Sequence, residues 1–245
     1  MAAYYEARAS ASIIVSETTA ISEETYGWPG TPALYTDVQA DGWRKVVDRV
    51  HNKGGKIFLQ LWHMGRQAHS SFNHTGEIVS ASAIRFESGH TRNASGEVVP
   101  FETPRALETH EVPSIVEMFR KCAERAKEVG FDGVEIQGAG GYMVDLFLQS
   151  CTNDRTDKYG GSFENRTRFL IEVIDAIKTV WPADRIAVRL SPNGFYGGMG
   201  SDDNAEMFTY VVEQLGRHGL SYIALATGID APTADTSRFL TSFDA

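Results

Sequence analysis

The chain has 245 residues, a hydrophobic fraction of 42% and a formal net charge of −9. This is enough length and apolar content for one large α/β domain or two small ones, and the absence of a basic stripe argues against a nucleic-acid partner. No run of about 18 apolar residues suggests a membrane helix, the N-terminus lacks the cationic start and apolar core of a secretory signal, and two cysteines, Cys122 and Cys151, fit a reducing, cytoplasmic compartment without a disulfide framework.

In chain order, residues 13–15 read as a strand running into Ser16, Glu17, Thr18 and Thr19. Asp37 is the expected N-cap of a helix bearing Val46, Val47 and Val50, closed by the glycines of residues 53–55. Residues 57–61 form the next strand. A long polar connection over residues 64–111 contains a predicted hairpin with its turn at residues 93–96. Pro113 marks a helix start, and Ile115, Phe119, Cys122, Ala126 and Val129 recur at spacings of three and four, the apolar stripe of an amphipathic helix ending at Gly130. Residues 133–136 are a strand. Leu170, Val173, Ile174, Ile177 and Trp181 mark another helix, residues 186–190 a strand, Phe208, Val211, Val212 and Leu215 a helix, and residues 222–225 the last strand. Strands alternating with helices imply a parallel sheet in one domain spanning residues 1–245. From this pattern alone, a doubly wound sheet and a (β/α)8 barrel both stay open, because only five strands are visible and a barrel has eight.

The stretch "GVEIQGAGGYMVDLFLQ", residues 133–149, runs from a strand through a glycine-rich turn into a helical pattern. It resembles the dinucleotide fingerprint G-x-G-x-x-G at Gly138 and Gly140, but Met143 holds the third glycine position. The alternatives are a flexible turn with Tyr142 merely packing, or a turn that presents Tyr142 to a ligand. Other strand ends carry Glu17 to Thr19, Gln60 to His63, Gln137, Arg189, and Ala226 with Thr227. Amides, hydroxyls, an indole, an imidazole and an arginine on one rim suit a planar hydrogen-bonding ligand, with the reactive chemistry supplied by a cofactor. No pair of carboxylates, Ser-His-Asp set or Cys-His pair is evident. His63 and His69 lack a third ligand at a familiar metal spacing, so no metal is expected. Arg189 within a strand needs a partner, since burying a cation alone is costly; the choice lies between an ion pair with Glu135 and an electron-rich ligand atom.

Several segments, taken in order, resemble the old yellow enzyme family of FMN-dependent ene-reductases. They are "YYEARAS", "SETTAIS", the run from Gly27 to Arg66, "SASAI", "PRALE", "GFDGVEI", "NDRTDKYGGSFENRTRF" and "RLSP". The segment from Arg155 to Arg166 and the Q-L-W-H run are the most specific. The resemblance implies a (β/α)8 TIM barrel represented by about its second to sixth strands, with the first strand and the last two, which carry phosphate-binding loops, expected outside residues 1–245. It also implies FMN reduced by NAD(P)H and hydride passed to an activated alkene such as an α,β-unsaturated carbonyl. Carried over by position, Gln60 resembles the side chain at the flavin pyrimidine edge, Arg189 the arginine beside flavin N1 and O2, and Thr18 and Thr19 the residues approaching the ring. Trp28 and Trp62 are expected to flank the substrate, with Tyr142 as proton donor. The histidine and asparagine, or second histidine, that usually grip the substrate carbonyl are replaced by Gln137, whose amide is expected to donate, and by Gly140, which has no side chain. A second reading, a fragment or divergent homologue that no longer turns over, is separated from the first by whether the protein carries a flavin.

Overall fold

The computed structural model describes residues 1–226. Its strands are β1 (Ile14–Ala20), β2 (Ile57–Trp62), β3 (Val79–Ser80), β4 (His90–Arg92), β5 (Val98–Pro100), β6 (Arg105–Ala106), β7 (Gly133–Gly138), β8 (Ile186–Leu190) and β9 (Tyr222–Leu225). Its α-helices are α1 (Ala2–Glu6), α2 (Asp37–His51), α3 (Val112–Val129), α4 (Met143–Leu148), α5 (Phe163–Lys178) and α6 (Asn204–Leu215). Strands β1, β2, β7, β8 and β9 form one sheet in that order, and every pairing within it is parallel. Spatial order therefore follows chain order. A doubly wound sheet reverses direction at a switch point; a barrel adds each strand beside the last. The five-strand sheet is a barrel segment.

β2 and β7 are buried along their whole length. Strands covered on both faces need near-continuous apolar sequence, and both have it except at Gln60, Glu135 and Gln137. Leu59, Leu61, Val134, Ile136 and Val188 join the main core, together with Val46, Phe119, Phe169, Ile174 and Phe208 from the helices. The polar exceptions alternate with these residues and so belong to the opposite face.

Three local details differ from the sequence reading. Thr36, not Asp37, caps α2: its hydroxyl accepts from Gln39 N at 3.3 Å, and Gln39 Oε1 accepts from Thr36 N at 2.9 Å. This capping box satisfies two otherwise orphaned amides and leaves Asp37 in the first turn, paired with Arg125. Trp181 lies beyond α5 and packs by donating from Nε1 to the carbonyl of Ala123 in α3 at 2.8 Å. The first strand continues to Ala20, with a register irregularity between Val15 and Thr18. The predicted hairpin is present as β4 and β5, closed by Gly96 N donating to the Asn93 carbonyl at 2.9 Å.

Candidate active site at the strand ends

Register places two rows of side chains on the face away from the helices. Thr18, Gln60, Glu135, Ala187 and Tyr222 are successive cross-strand partners. Gln137, Arg189 and Ala224 form the next row toward the strand C-termini. Partners in a parallel ladder share a face, so Thr18, Gln60, Gln137 and Arg189 are brought together as expected. Thr227 lies outside the described residues.

Of the two alternatives for Arg189, the ion pair with Glu135 is not formed among the described residues. Glu135 is buried and accepts from Gln60 Nε2 at 2.6 Å and from the Tyr222 hydroxyl at 2.9 Å. Burial, reinforced by the Glu135 charge and hydrogen bond, raises the Tyr222 phenol pKa. Among the described residues Arg189 makes no ion pair and is only partly buried. Gln137 Nε2 lies 3.5 Å from Gln60 Oε1, the outer limit of a hydrogen bond, and Gln137 Oε1 is buried without a partner among the described residues. Thr19 is fully buried, and its hydroxyl donates to the Glu17 carbonyl at 3.0 Å. Of the two threonines, Thr18 alone borders the neighbouring cavity.

That cavity, about 300 Å³, is bounded by Thr18, Trp28, Pro32, Trp62 and Tyr142 among others. Trp28 stands at its mouth, 40% exposed. Trp62 and Tyr142 meet edge to face, with ring centroids 5.1 Å apart. Burial pushes the Tyr142 phenol pKa up, and neighbouring Tyr196 pushes it further, so the phenol keeps its proton at neutral pH.

The glycine turn has a mechanical explanation. Gly140 and Gly141 sit at φ +68° and +71°, the left-handed region that glycine enters without strain. Ser191 Oγ accepts from Gly140 N at 2.9 Å, and Asp145 Oδ2 accepts from Gly141 N at 2.9 Å. The two amides that could have met a phosphate are thus already engaged within the protein, and the dinucleotide reading falls. Gln67 Nε2 holds the other side of the turn, donating to the carbonyls of Gly140 at 2.8 Å and Gly141 at 2.9 Å. The turn delivers Tyr142 to the N-cap position of α4.

Asp145, Gln67 and Ser191 were not singled out from sequence, yet all three are buried beneath this turn. Asp145 also accepts from Gln149 Nε2 at 2.9 Å and, at 3.4 Å, from Ser191 Oγ. Burial outweighs these donors and lifts its carboxyl from 3.8 to about 6. Arg66 is buried too, donating to the carbonyls of Ile84 at 3.0 Å and Gly197 at 2.7 Å. His63 is buried, with its pKa lowered by burial to about 3, and its Nδ1 accepts from Gly65 N at 3.1 Å. The ring is therefore neutral. Among the described residues no group of three acidic, histidine or cysteine side chains is arranged to hold a metal.

The segment from Arg155 to Arg166 is a clasp. Arg155 Nη1 donates to the carbonyls of Ala81 at 2.8 Å and Leu107 at 2.5 Å, and Arg155 also pairs with Asp157. Asn153 Nδ2 donates to the carbonyls of Phe147 at 2.7 Å and Tyr159 at 2.8 Å. Arg166 Nη1 donates to the Leu148 carbonyl at 2.8 Å. Phe147 and Leu148 are the last residues of α4, so the clasp anchors the helix that Tyr142 caps.

Comparison with known proteins agrees with this geometry. Residues 1–241 match the model of the NADH:flavin oxidoreductase / NADH oxidase family. The chain is 42% identical over 218 residues to 12-oxophytodienoate reductase 1 of Oryza sativa subsp. japonica, an alignment covering 89% of this chain and 56% of that protein. Against 12-oxophytodienoate reductase 2 of Arabidopsis thaliana the identity is 38% over 220 residues, covering 89% of this chain and 59% of the relative. The solved structure of morphinone reductase superimposes with a TM-score of 0.90 at 40% identity, covering 99% of this chain and 68% of that one. The chain thus spans less than two thirds of the length of these plant relatives. It belongs to the NADH:flavin oxidoreductase / NADH oxidase family, the group of the old yellow enzymes.

Proposed function

We propose that the protein acts as an FMN-dependent oxidoreductase that takes hydride from NAD(P)H and delivers it to an activated alkene. The observation that carries this reading is the convergence of Thr18, Gln60 and Arg189 on one face of the strand ends, beside a cavity walled by Trp62 and Tyr142. The donor set fits a flavin: an amide suits the donor-acceptor edge of a pyrimidine ring, and a guanidinium without a carboxylate partner among the described residues suits its electron-rich side. When bound, FMN supplies the hydride-transfer chemistry.

The residues of this chain bind, orient and protonate. Gln60 holds the pyrimidine edge, with its amide fixed by Glu135. Arg189 would lie on the electron-rich side of that ring, where a guanidinium favours negative charge. Trp28 and Trp62 confine the alkene within the cavity. Tyr142 keeps a proton on its hydroxyl for the substrate carbon that does not receive hydride. Gly140 offers no side-chain donor, and a missing oxyanion donor typically costs ~2.7–4 kcal/mol of transition-state stabilisation. Simple enones are accordingly poor substrates.

Absorption spectroscopy with added FMN tests the assignment. A bound-flavin spectrum that weakens in Arg189→Met and Gln60→Leu supports it. Wild-type protein that neither binds FMN nor responds to either substitution overturns it.

A further inference from the structure

Asp145 sits where one side chain can hold two consecutive amides of the glycine turn. It is completely buried, and both of its oxygens accept hydrogen bonds. Oδ2 takes the Gly141 amide directly, at 2.9 Å. It reaches the Gly140 amide through Ser191, whose Oγ accepts from Gly140 N at 2.9 Å and donates onward to Asp145 at 3.4 Å. Oδ1 takes Gln149 Nε2 at 2.9 Å. The Gln149 amide cannot turn round, because its Oε1 already accepts from Gly200 N at 2.8 Å and Ser201 N at 3.3 Å. A carboxylate meets all three donors, whereas a protonated carboxyl carries a donor of its own. That proton finds an acceptor only at Ser191 Oγ, and the Ser191 hydroxyl then loses its acceptor at Asp145. Ionisation is costly in so buried a site, yet it is the form that ties the turn down, and all three bonds favour it.

The ring of Tyr142 stands on this turn and borders the cavity. Its Cε2 lies 3.3 Å from the position that a Cβ on Gly140 would take, and the ring meets Trp62 edge to face. We infer that Asp145 is a positioning residue for Tyr142: the carboxylate holds the turn that carries the phenol, and protonating it releases one of the ties, so that proton delivery by Tyr142 weakens in acid. The inference rests on the proposed function for the role of Tyr142. The charge of Arg66, from the segment after β2, favours the carboxylate. His63 on that segment is neutral, and Cys151 beyond α4 lies within charge range of Arg66. Tyr142 and Tyr196 flank Gly140. Arg166 of α5 is taken up by the Leu148 carbonyl and by Asp203.

Trp62 emission reports the position of the Tyr142 ring and needs no flavin. It is read as the part of the tryptophan signal lost in Trp62→Phe. The wild type should show a transition near pH 6. Asp145→Asn should abolish it, because asparagine does not titrate. Ser191→Ala should move it upward, because a donor to the carboxylate is gone. In FMN-loaded protein, stopped-flow oxidation of the reduced flavin by cyclohexenone should slow roughly tenfold as pH falls through this transition, about the worth of one hydrogen bond. In Asp145→Asn the same step should be slow and flat with pH, while flavin reduction by NAD(P)H keeps one pH profile in both proteins. A wild type without the emission transition, a transition that survives Asp145→Asn, or one unmoved by Ser191→Ala overturns the inference. So does an oxidation rate with the same pH profile in wild type and Asp145→Asn. Failure to bind FMN refutes the functional reading instead, while Trp62 emission still decides whether Asp145 holds Tyr142.

Discussion

Asp145→Asn probes the buried carboxyl that holds the turn beneath Tyr142. The wild-type carboxyl titrates near 6 when folded and at about 3.8 when exposed. A gap of roughly two pKa units is worth about 3 kcal/mol at 1.36 kcal/mol per unit, and complete burial leaves no solvent screening to discount it. The folded pKa is the raised one. The stability it contributes is therefore fully present below 3.8 and lost as pH rises through 6. Asparagine does not titrate, and every other ionisable group is common to both proteins. The difference, wild-type stability minus variant stability, should fall by about 3 kcal/mol across that window. Asparagine also turns an NH2 group toward Gly141 N or Gln149 Nε2, a donor-donor mismatch that lowers stability by a roughly pH-independent ~1–3 kcal/mol. Urea denaturation of both proteins at closely spaced pH values separates the slope from this constant offset. A difference that stays flat, or that grows with pH, would refute the reasoning and show that the three donors on Asp145 outweigh its burial.

Three further outcomes follow from the same geometry. Tyr142→Phe should leave flavin reduction by NAD(P)H near normal while slowing the oxidative half-reaction at least tenfold, within the ~100- to 10,000-fold typical of a positioned proton donor, as read by stopped-flow absorbance. Gln137→His combined with Gly140→Asn should raise kcat/KM for cyclohexenone at least tenfold by restoring carbonyl donors; asparagine tolerates the φ of +68°, although its Cβ would press on Tyr142 Cε2 at 3.3 Å. Arg155→Met should lower stability in urea denaturation by about 3 kcal/mol, because it strips donors from the carbonyls of Ala81 and Leu107 and leaves Asp157 without its arginine.

The order of strands and helices is readable in the sequence because each element follows one period. The stripe from Ile115 to Val129 lands on one helix face, and β2 and β7 are apolar runs interrupted only where a side chain faces the barrel interior. Periodicity alone did not choose between barrel and doubly wound sheet, because it reports which face is buried, not which strand lies beside which; the family resemblance chose the barrel, and the pairing of β1, β2, β7, β8 and β9 agrees with it. Gln60 and Arg189 stood out as candidates because polar groups at buried strand ends demand an explanation, and Tyr142 because of the family resemblance. Asp145, Gln67 and Ser191 did not. Their partners are backbone amides and carbonyls of Gly140 and Gly141, and no residue pattern announces a bond to a glycine backbone. The partners of Glu135 were not readable for a similar reason. Arg189 is the nearest charge by type, but Gln60 and Tyr222 reach the carboxylate in space.

Among the described residues the segment most diagnostic of the family is engaged in structural contacts. Arg155, Asn153 and Arg166 bond mainly to main-chain carbonyls, contacts that hold α4 at a fixed height and so fix where Tyr142 stands. Such a clasp can be retained whatever the ligand, because it reads mainly backbone and its own ion pairs. Gln137 and Gly140, in contrast, face the site, and there the chain departs from the pattern it otherwise follows. Positioning and recognition are thus carried by different residues. A family resemblance nominates the tyrosine, the tryptophans and the amide of Gln60 as candidates, but the orientation of that amide is set by Glu135 on the neighbouring strand. The group that this site grips must be worked out from that local polarity, not from the shared scaffold.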